Sequence, residues 1–417
     1  LLLRYGQALV RAEEAGADVL AEAARELLDA GDREHAAEAD VLLGQLLMMT
    51  QGRREEAAAR FDHAATLLAE ASPSRAKARV LAGRAHFHLV TDEAEEAVMS
   101  GREALGMAEA LGLDELRSNT LSTLGFARVM TGDLEGLRDL RESVELAERA
   151  NSPEAARGYN NLASVTADLG DLARAFELYS ESRRVAARFG DALALRWLGV
   201  ELMYEEYWRG SWDRALSTGE ALLAAGDDGS LHELDVLLVR AKIALVREGA
   251  AGALAEVGPA LEQARSVAAP QILLPVLAFE AHALATAGRA GEAAEAAGEL
   301  TRLWLEEGRA QSLASFWLAD LAFALTALGS GGALAAAAGR ARTRTRWLEA
   351  ALAAAEGDWP RAAGIYARVG SRPDEALARL RAAEELAAAD RPAEAEEERR
   401  LAGAFYRDVE AVAAGSG

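Results

Sequence analysis

A turn that recurs at nearly constant spacing constrains this 417-residue chain more than any other feature. A glycine ends one apolar helical stretch, and in most units an alanine follows five residues later on the next. The turn stands at Gly52, near Thr91, and at Gly132, Gly170, Gly210, Gly249, Gly288, Gly357 and Asp390. From Gly132 the steps are 38, 40, 39 and 39 residues, and the last, Gly357 to Asp390, is 33. A first unit turns near Gly16. Between Gly288 and Gly357 the rhythm breaks, where Gly329, Gly331 and Gly332 mark a turn and the next helix is expected to be short.

Within each unit the apolar spacing has the helical period. Leu162, Val165 and Leu169 share one face, and Leu172, Ala175, Phe176 and Tyr179 share another. No segment alternates with period two, and no hairpin dipeptide sits between β-branched runs. Hydrophobic residues make up 51% of the chain but aromatics only 6%, so the apolar mass is chiefly Ala and Leu, which lose little freedom in a helix. An isolated amphipathic helix pair cannot bury its apolar face, so neighbouring pairs must stack. The prediction is an all-α solenoid of about ten antiparallel helix pairs. It runs over 1–417 as one structure, with an irregular unit around 325–345 and terminal repeats over 347–410.

The turn residues carry a resemblance. Tyr159-Asn160-Asn161-Leu162-Ala163, Gly170-Asp171, Ala175 and Tyr179 follow the tetratricopeptide pattern. Trp347-Leu348, Gly357-Asp358-Trp359, Ala362 and Tyr366 follow it again, as do Leu124-Gly125 with Gly132-Asp133, and Gly52, Ala57 and Phe61. Gly125, Ala163, Ala175 and Ala362 are expected where helices cross too closely for a larger side chain. The resemblance implies a right-handed superhelix whose first helices line a concave groove. The 39-residue repeat is similar to the C-terminal arrays of large bacterial signalling ATPases, namely adenylate/guanylate cyclase–ATPase fusions and MalT/LuxR-type regulators. The segment from Ala378 to Val409 resembles the end of the cyclase–ATPase group.

Composition narrows the chemistry. A formal net charge of −22 repels phosphate backbones and anionic membranes, so neither is an expected partner. The absence of cysteine excludes disulfides, zinc–thiolate sites and thiol nucleophiles. Lys77 and Lys242 both follow alanine, so neither belongs to a P-loop. His232-Glu233 lacks the second histidine of a zincin, and no Gly-x-Ser-x-Gly elbow occurs. No catalytic constellation, cofactor or metal is expected. His86 and His88 would point about 200° apart on a helix, and His35 with Asp32 and Glu38 reads as a surface cluster. The excess of Arg, Ala and Gly fits a GC-rich bacterial genome. The apolar segment Ala268 to Gly288 contains Pro270, Pro275, Glu280 and His282, which argues against a membrane span and for a cytoplasmic protein. A start at Leu1 fits a piece of something larger.

The function expected is binding: a protein–protein interaction or sensor module of a signalling protein, with a peptide or a partner domain, such as a linked ATPase or cyclase, as ligand. The inner-helix rule presents Asn119, Ser122 and Phe126, then Arg157, Asn160, Asn161 and Ser164, then Trp197, Glu201, Tyr204 and Trp208, with Tyr207 beside them. Amides can fix a peptide backbone and aromatics can bury its side chains. The aromatics at i, i+3 and i+4 equally suit core packing between repeats. The run Arg340, Arg342, Arg344, Arg346 and Trp347 would, if helical, place Arg340 and Arg344 on one face, as an anchor for an anionic partner or paired with the chain's own carboxylates. Small-molecule sensing near Trp197, Tyr204 and Trp208 and a structural role through closure or dimerisation are the alternatives.

Overall fold

The computed structural model describes residues 1–13, 15–51, 53–91, 93–225, 231–267, 270–306, 315–339, 341 and 343–409. Among them are 22 helices and no strand. In chain order the first ten are α1 (Leu2–Glu13), α2 (Ala17–Asp29), α3 (Arg33–Gln51), α4 (Arg54–Leu67), α5 (Arg75–Val90), α6 (Ala94–Ala110), α7 (Asp114–Met130), α8 (Gly136–Arg149), α9 (Glu154–Asp168) and α10 (Leu172–Phe189). Then come α11 (Ala192–Trp208), α12 (Trp212–Ala225), α13 (Leu231–Arg247), α14 (Ala250–Val267), α15 (Pro270–Thr286) and α16 (Ala290–Glu306). The last six are α17 (Trp317–Ala327), α18 (Gly332–Ala338), α19 (Arg346–Ala355), α20 (Trp359–Val369), α21 (Arg372–Ala388) and α22 (Pro392–Asp408).

The Gly-Asp turn works by two local devices. Gly170 adopts a left-handed φ of 87°, its N–H bonds the carbonyl of Ala167 at 2.9 Å, and the Asp171 N–H bonds that of Thr166 at 3.0 Å. These two bonds satisfy carbonyls orphaned at the end of α9. Asp171 then accepts from the Arg174 N–H at 3.2 Å and so caps the start of α10. Gly132-Asp133 repeats the closing bonds, and Asp358 caps α20 through the Arg361 N–H. The sequence period is therefore the period of a stop signal followed by a start signal.

The residues pack as two compact units, one of 1–162 with 178–196, the other of 163–177 with 197–417. In the first unit each helix from α1 to α7 packs on the next, and α1, α3, α5 and α7 also pack on one another in succession. This is how first helices come to share a face. Phe61 and Phe87 meet at a tilt, ring centroids 4.9 Å apart, in its core beside Leu20, Leu46 and Leu68. At the α7–α8 crossing, a Cβ added to Gly125 would lie 2.6 Å from the carbonyl oxygen of Gly136, so glycine there is a packing requirement. Ser118 and Ser143 bridge the same crossing by donating to each other's carbonyls at 2.9 and 2.8 Å.

In the second unit α13, α15, α17 and α19 stack in the same way. Between α17 and α19 the helix α18 has only seven residues, and α19 begins at Arg346, the last arginine of the run. This unit also closes on itself. Phe405 of α22 meets Trp212 of α12 edge-on at 5.5 Å, Arg247 Nε donates to the Val409 carbonyl at 3.1 Å, and Arg372 donates to the Arg209 carbonyl at 2.9 Å. Among the described residues no helix is long and apolar enough to cross a membrane.

Candidate binding groove

The first unit contains a groove of about 920 Å³ whose walls come from the odd-numbered helices α1, α3, α5, α7, α9 and α11. Apolar floor positions such as Val41, Leu42 and Gly83 alternate with Arg4, Gln45, Arg79 and Asn119. Its polar rungs follow the repeat. Glu38, Arg79 and Asn119 stand 41 and 40 residues apart, so each occupies about the same place on successive first helices. Neighbouring elements bond across the stack. Arg79 pairs with Glu38 at 3.6 Å, Asn119 Nδ2 donates to Glu154 at 2.7 Å, and Arg157 Nη2 donates to Thr123 Oγ1 at 2.7 Å.

Of the residues expected to bind, Asn119 lines the groove, whereas Arg157 and Asn161, though half-buried like it, are not among the groove's lining residues. Asn161 Nδ2 donates to Ser122 Oγ at 2.9 Å, which accounts for one polar amide in mid-helix. Asn160 is half-buried beside it. Phe126 does not line the groove. It is 6% exposed because α5, α6 and α8 enclose α7, whose whole stretch from Thr120 to Ala127 is buried.

Trp197, Glu201, Tyr204 and Trp208 belong to the second unit. Trp197 and Glu201 are half-buried, whereas Tyr204 and Trp208 are core and not groove. Trp208 lies 5.3 Å from the Tyr204 ring and 5.6 Å from Phe316, and Tyr204 donates its hydroxyl to Asp235 at 2.8 Å. Tyr207 and Trp212 stack on each other at 6.0 Å, also buried. Packing within the second unit claims these rings.

The arginine run divides. Arg340 and Arg342 lie outside the described residues. Arg344 is exposed and precedes the helix, so the shared helical face expected for it does not form. Thr345 is the reason: its hydroxyl accepts from the Leu348 N–H and caps α19. Arg346 donates to the Gly170 carbonyl at 3.0 Å and faces Asp171 at 3.9 Å, so it is engaged by its own chain.

Two polar groups escaped the reading of the sequence. Beside Arg157, His86 is half-buried, and burial together with the Arg157 charge pushes its pKa down to about 3. Its spacing from Arg79 and Gly83 on α5 marks it as part of the inner stripe, a signal hidden by reading it as a pair with His88. That partner instead meets Glu93 at 2.6 Å, and His35 meets Asp32 at 2.8 Å. In the second unit Lys242 and His282 both contact Asp320, the imidazole at 2.9 Å, with all three side chains buried. These residues are 40 and 38 apart, again one per repeat. Among the described residues no group of three metal-ligating side chains converges.

No family model and no curated protein matches this chain. Among solved structures it is similar to a Rap protein complexed with Competence and Sporulation Factor, with a TM-score of 0.54 and 15% identity over 75% of this chain and 98% of that one. It is also similar to the apo form of the quorum sensor NprR from B. thuringiensis, with a TM-score of 0.44 and 12% identity over 97% of each chain. A Signal Transduction ATPase with Numerous Domains with a tetratricopeptide repeat sensor, from Pyrococcus horikoshii, gives 0.43 and 14% over 76% of this chain and 48% of that one. The Rap likeness bears on the fold. The chain is a helical-repeat protein of the tetratricopeptide type.

Proposed function

We propose that this chain is a binding module, a sensor that takes an extended peptide or a segment of a partner protein into the groove of its first unit. One observation carries the reading: a groove framed by successive first helices, with an apolar floor and polar rungs at repeat spacing. An extended chain offers a backbone group about every 3.4 Å, so a row of fixed polar groups along stacked helices suits it. The similar Rap protein was solved in complex with Competence and Sporulation Factor, which supports binding on this fold. The reading is of binding and not of catalysis. The resemblance of the terminal segment supports placing the module in a multidomain bacterial signalling protein, where ligand occupancy would restrain a linked ATPase or cyclase. A scaffold role is favoured for the second unit, because α22 packs against α12.

Selection of a random peptide library on the intact chain tests the reading. Enriched peptides are expected to bind wild type and to lose about tenfold or more in affinity in an Arg79→Ala/Asn119→Ala double variant. An Arg344→Ala/Arg346→Ala variant should bind them as wild type does. Failure to enrich any sequence, or equal binding by wild type and the groove variant, would overturn it.

A further inference from the structure

We propose that the closed second unit holds a small organic cation, a primary ammonium group, between Asp374 of α21 and the Tyr366 hydroxyl of α20, a site independent of the peptide groove. It rests on a buried hydroxyl without a partner beside a carboxylate short of counter-charge. Tyr366 is 0% exposed, and its hydroxyl has no hydrogen-bond partner among the described residues. Its ring is held by Phe323 at 6.2 Å and by Trp347 at 6.4 Å, so the hydroxyl is fixed in place. A buried donor left unpaired is costly, and a ligand that pairs it recovers the cost.

Asp374 stands on the side to which this hydroxyl points. Burial raises the Tyr366 pKa, and the charges of Asp374 and then Asp320 add to the rise. Tyr207 of α11 and Tyr406 of α22 follow the same order, burial first and Asp374 next, so three phenols converge on one carboxyl. Asp374 and Tyr406 are only half-buried, yet burial pushes the Asp374 carboxyl up to about 6. A carboxyl that keeps accessible surface and has still lost its hydration faces a space walled by protein. Its charge is unbalanced there. Asp374 accepts from the neutral Ser371 Oγ at 2.5 Å and makes no ion pair among the described residues. Lys242, whose field favours the ionised form of Asp374, is in contact with Asp320, which also takes His282 at 2.9 Å. An ammonium group supplies the missing charge and three donors, with no acceptor to be left unpaired. Carboxylate and phenol oxygens are the acceptors it needs. An anion would meet two carboxylates, and a neutral alcohol would leave the charge of Asp374 uncompensated.

The test titrates the intact chain by calorimetry with propylammonium, propan-1-ol and sodium at matched ionic strength. Propylammonium should bind and raise the melting temperature, and the alcohol and sodium should do neither to a comparable extent. Asp374→Asn should weaken propylammonium binding about tenfold or more. Tyr366→Phe, which removes one unpaired hydroxyl and keeps the ring, should weaken it about fivefold. Without amine the same variant should melt no lower than wild type, so it tests the site even if Asp374→Asn fails to fold. No binding of propylammonium, equal binding of the alcohol or sodium, or unchanged affinity in Tyr366→Phe would overturn the proposal. So would a lower melting temperature of amine-free Tyr366→Phe, which would mean that the hydroxyl already has a partner.

Discussion

At the scale of single residues, the inner faces of both units carry polar groups whose ionisation is set by burial. Asp235 shows the consequence most directly. Burial pushes its carboxyl up to about 6, against the opposing hydrogen bond from Tyr204. The folded chain thus binds this proton more tightly than the unfolded chain, whose carboxyl titrates near 3.8. The stability it contributes is present below about pH 4 and is lost as the pH rises to about 6. Asp235→Asn, which keeps an acceptor for Tyr204, should flatten that decline and raise stability at pH 7 by up to about 3 kcal/mol. Urea unfolding at pH 4, 5, 6 and 7 reads both slopes, and parallel slopes would contradict this account. Of the amide and guanidinium groups that the inner-helix rule singles out, Asn119 lines the groove. The same rule misplaced Phe126, and of the two readings left open for Tyr204 and Trp208 core packing is the one that holds, because a ring at an inner position can turn toward the neighbouring repeat and apolar spacing does not say which way it turns.

At the scale of elements, the turns were legible because their chemistry is local. Gly132, Gly170, Gly210, Gly249 and Gly288 all take positive φ, as a glycine that ends a helix should. The close crossing was legible too: Gly125 meets Gly136 backbone to backbone. Gly125→Ala should therefore cost roughly 2–4 kcal/mol, since the obstruction is backbone and cannot rotate aside. Gly106→Ala on α6, where an added Cβ meets nothing within 4 Å, should instead stabilise by about 0.5–1 kcal/mol. Thermal unfolding of the two variants distinguishes them by sign. Arg344 stays outside α19 for an equally local reason. Thr345 outcompetes its neighbours as a cap, and a cap fixes where a helix begins.

At the scale of the molecule, the even repeat gave no warning of the division into two units. The division falls within α9, α10 and α11 and not at a linker, so no change of composition marks it. Closure stood among the alternatives read from the sequence, but the contact that makes it was hidden, because it joins residues such as Trp212 and Phe405 that are remote in sequence. Phe405→Ala should cost about 3–5 kcal/mol and alter the fluorescence of Trp212, as expected for an aromatic removed from a packed contact. A loss below 1 kcal/mol would mean that α22 adds little to the closed unit. The polar rungs at repeat spacing are the part of the whole that bears on function. A photo-crosslinking residue at Gln45, inside the groove, and another at Met99, exposed on α6, test that part most directly with a library-selected peptide. The account predicts capture at Gln45 and none at Met99. Binding without capture at Gln45, or capture at Met99, would contradict it.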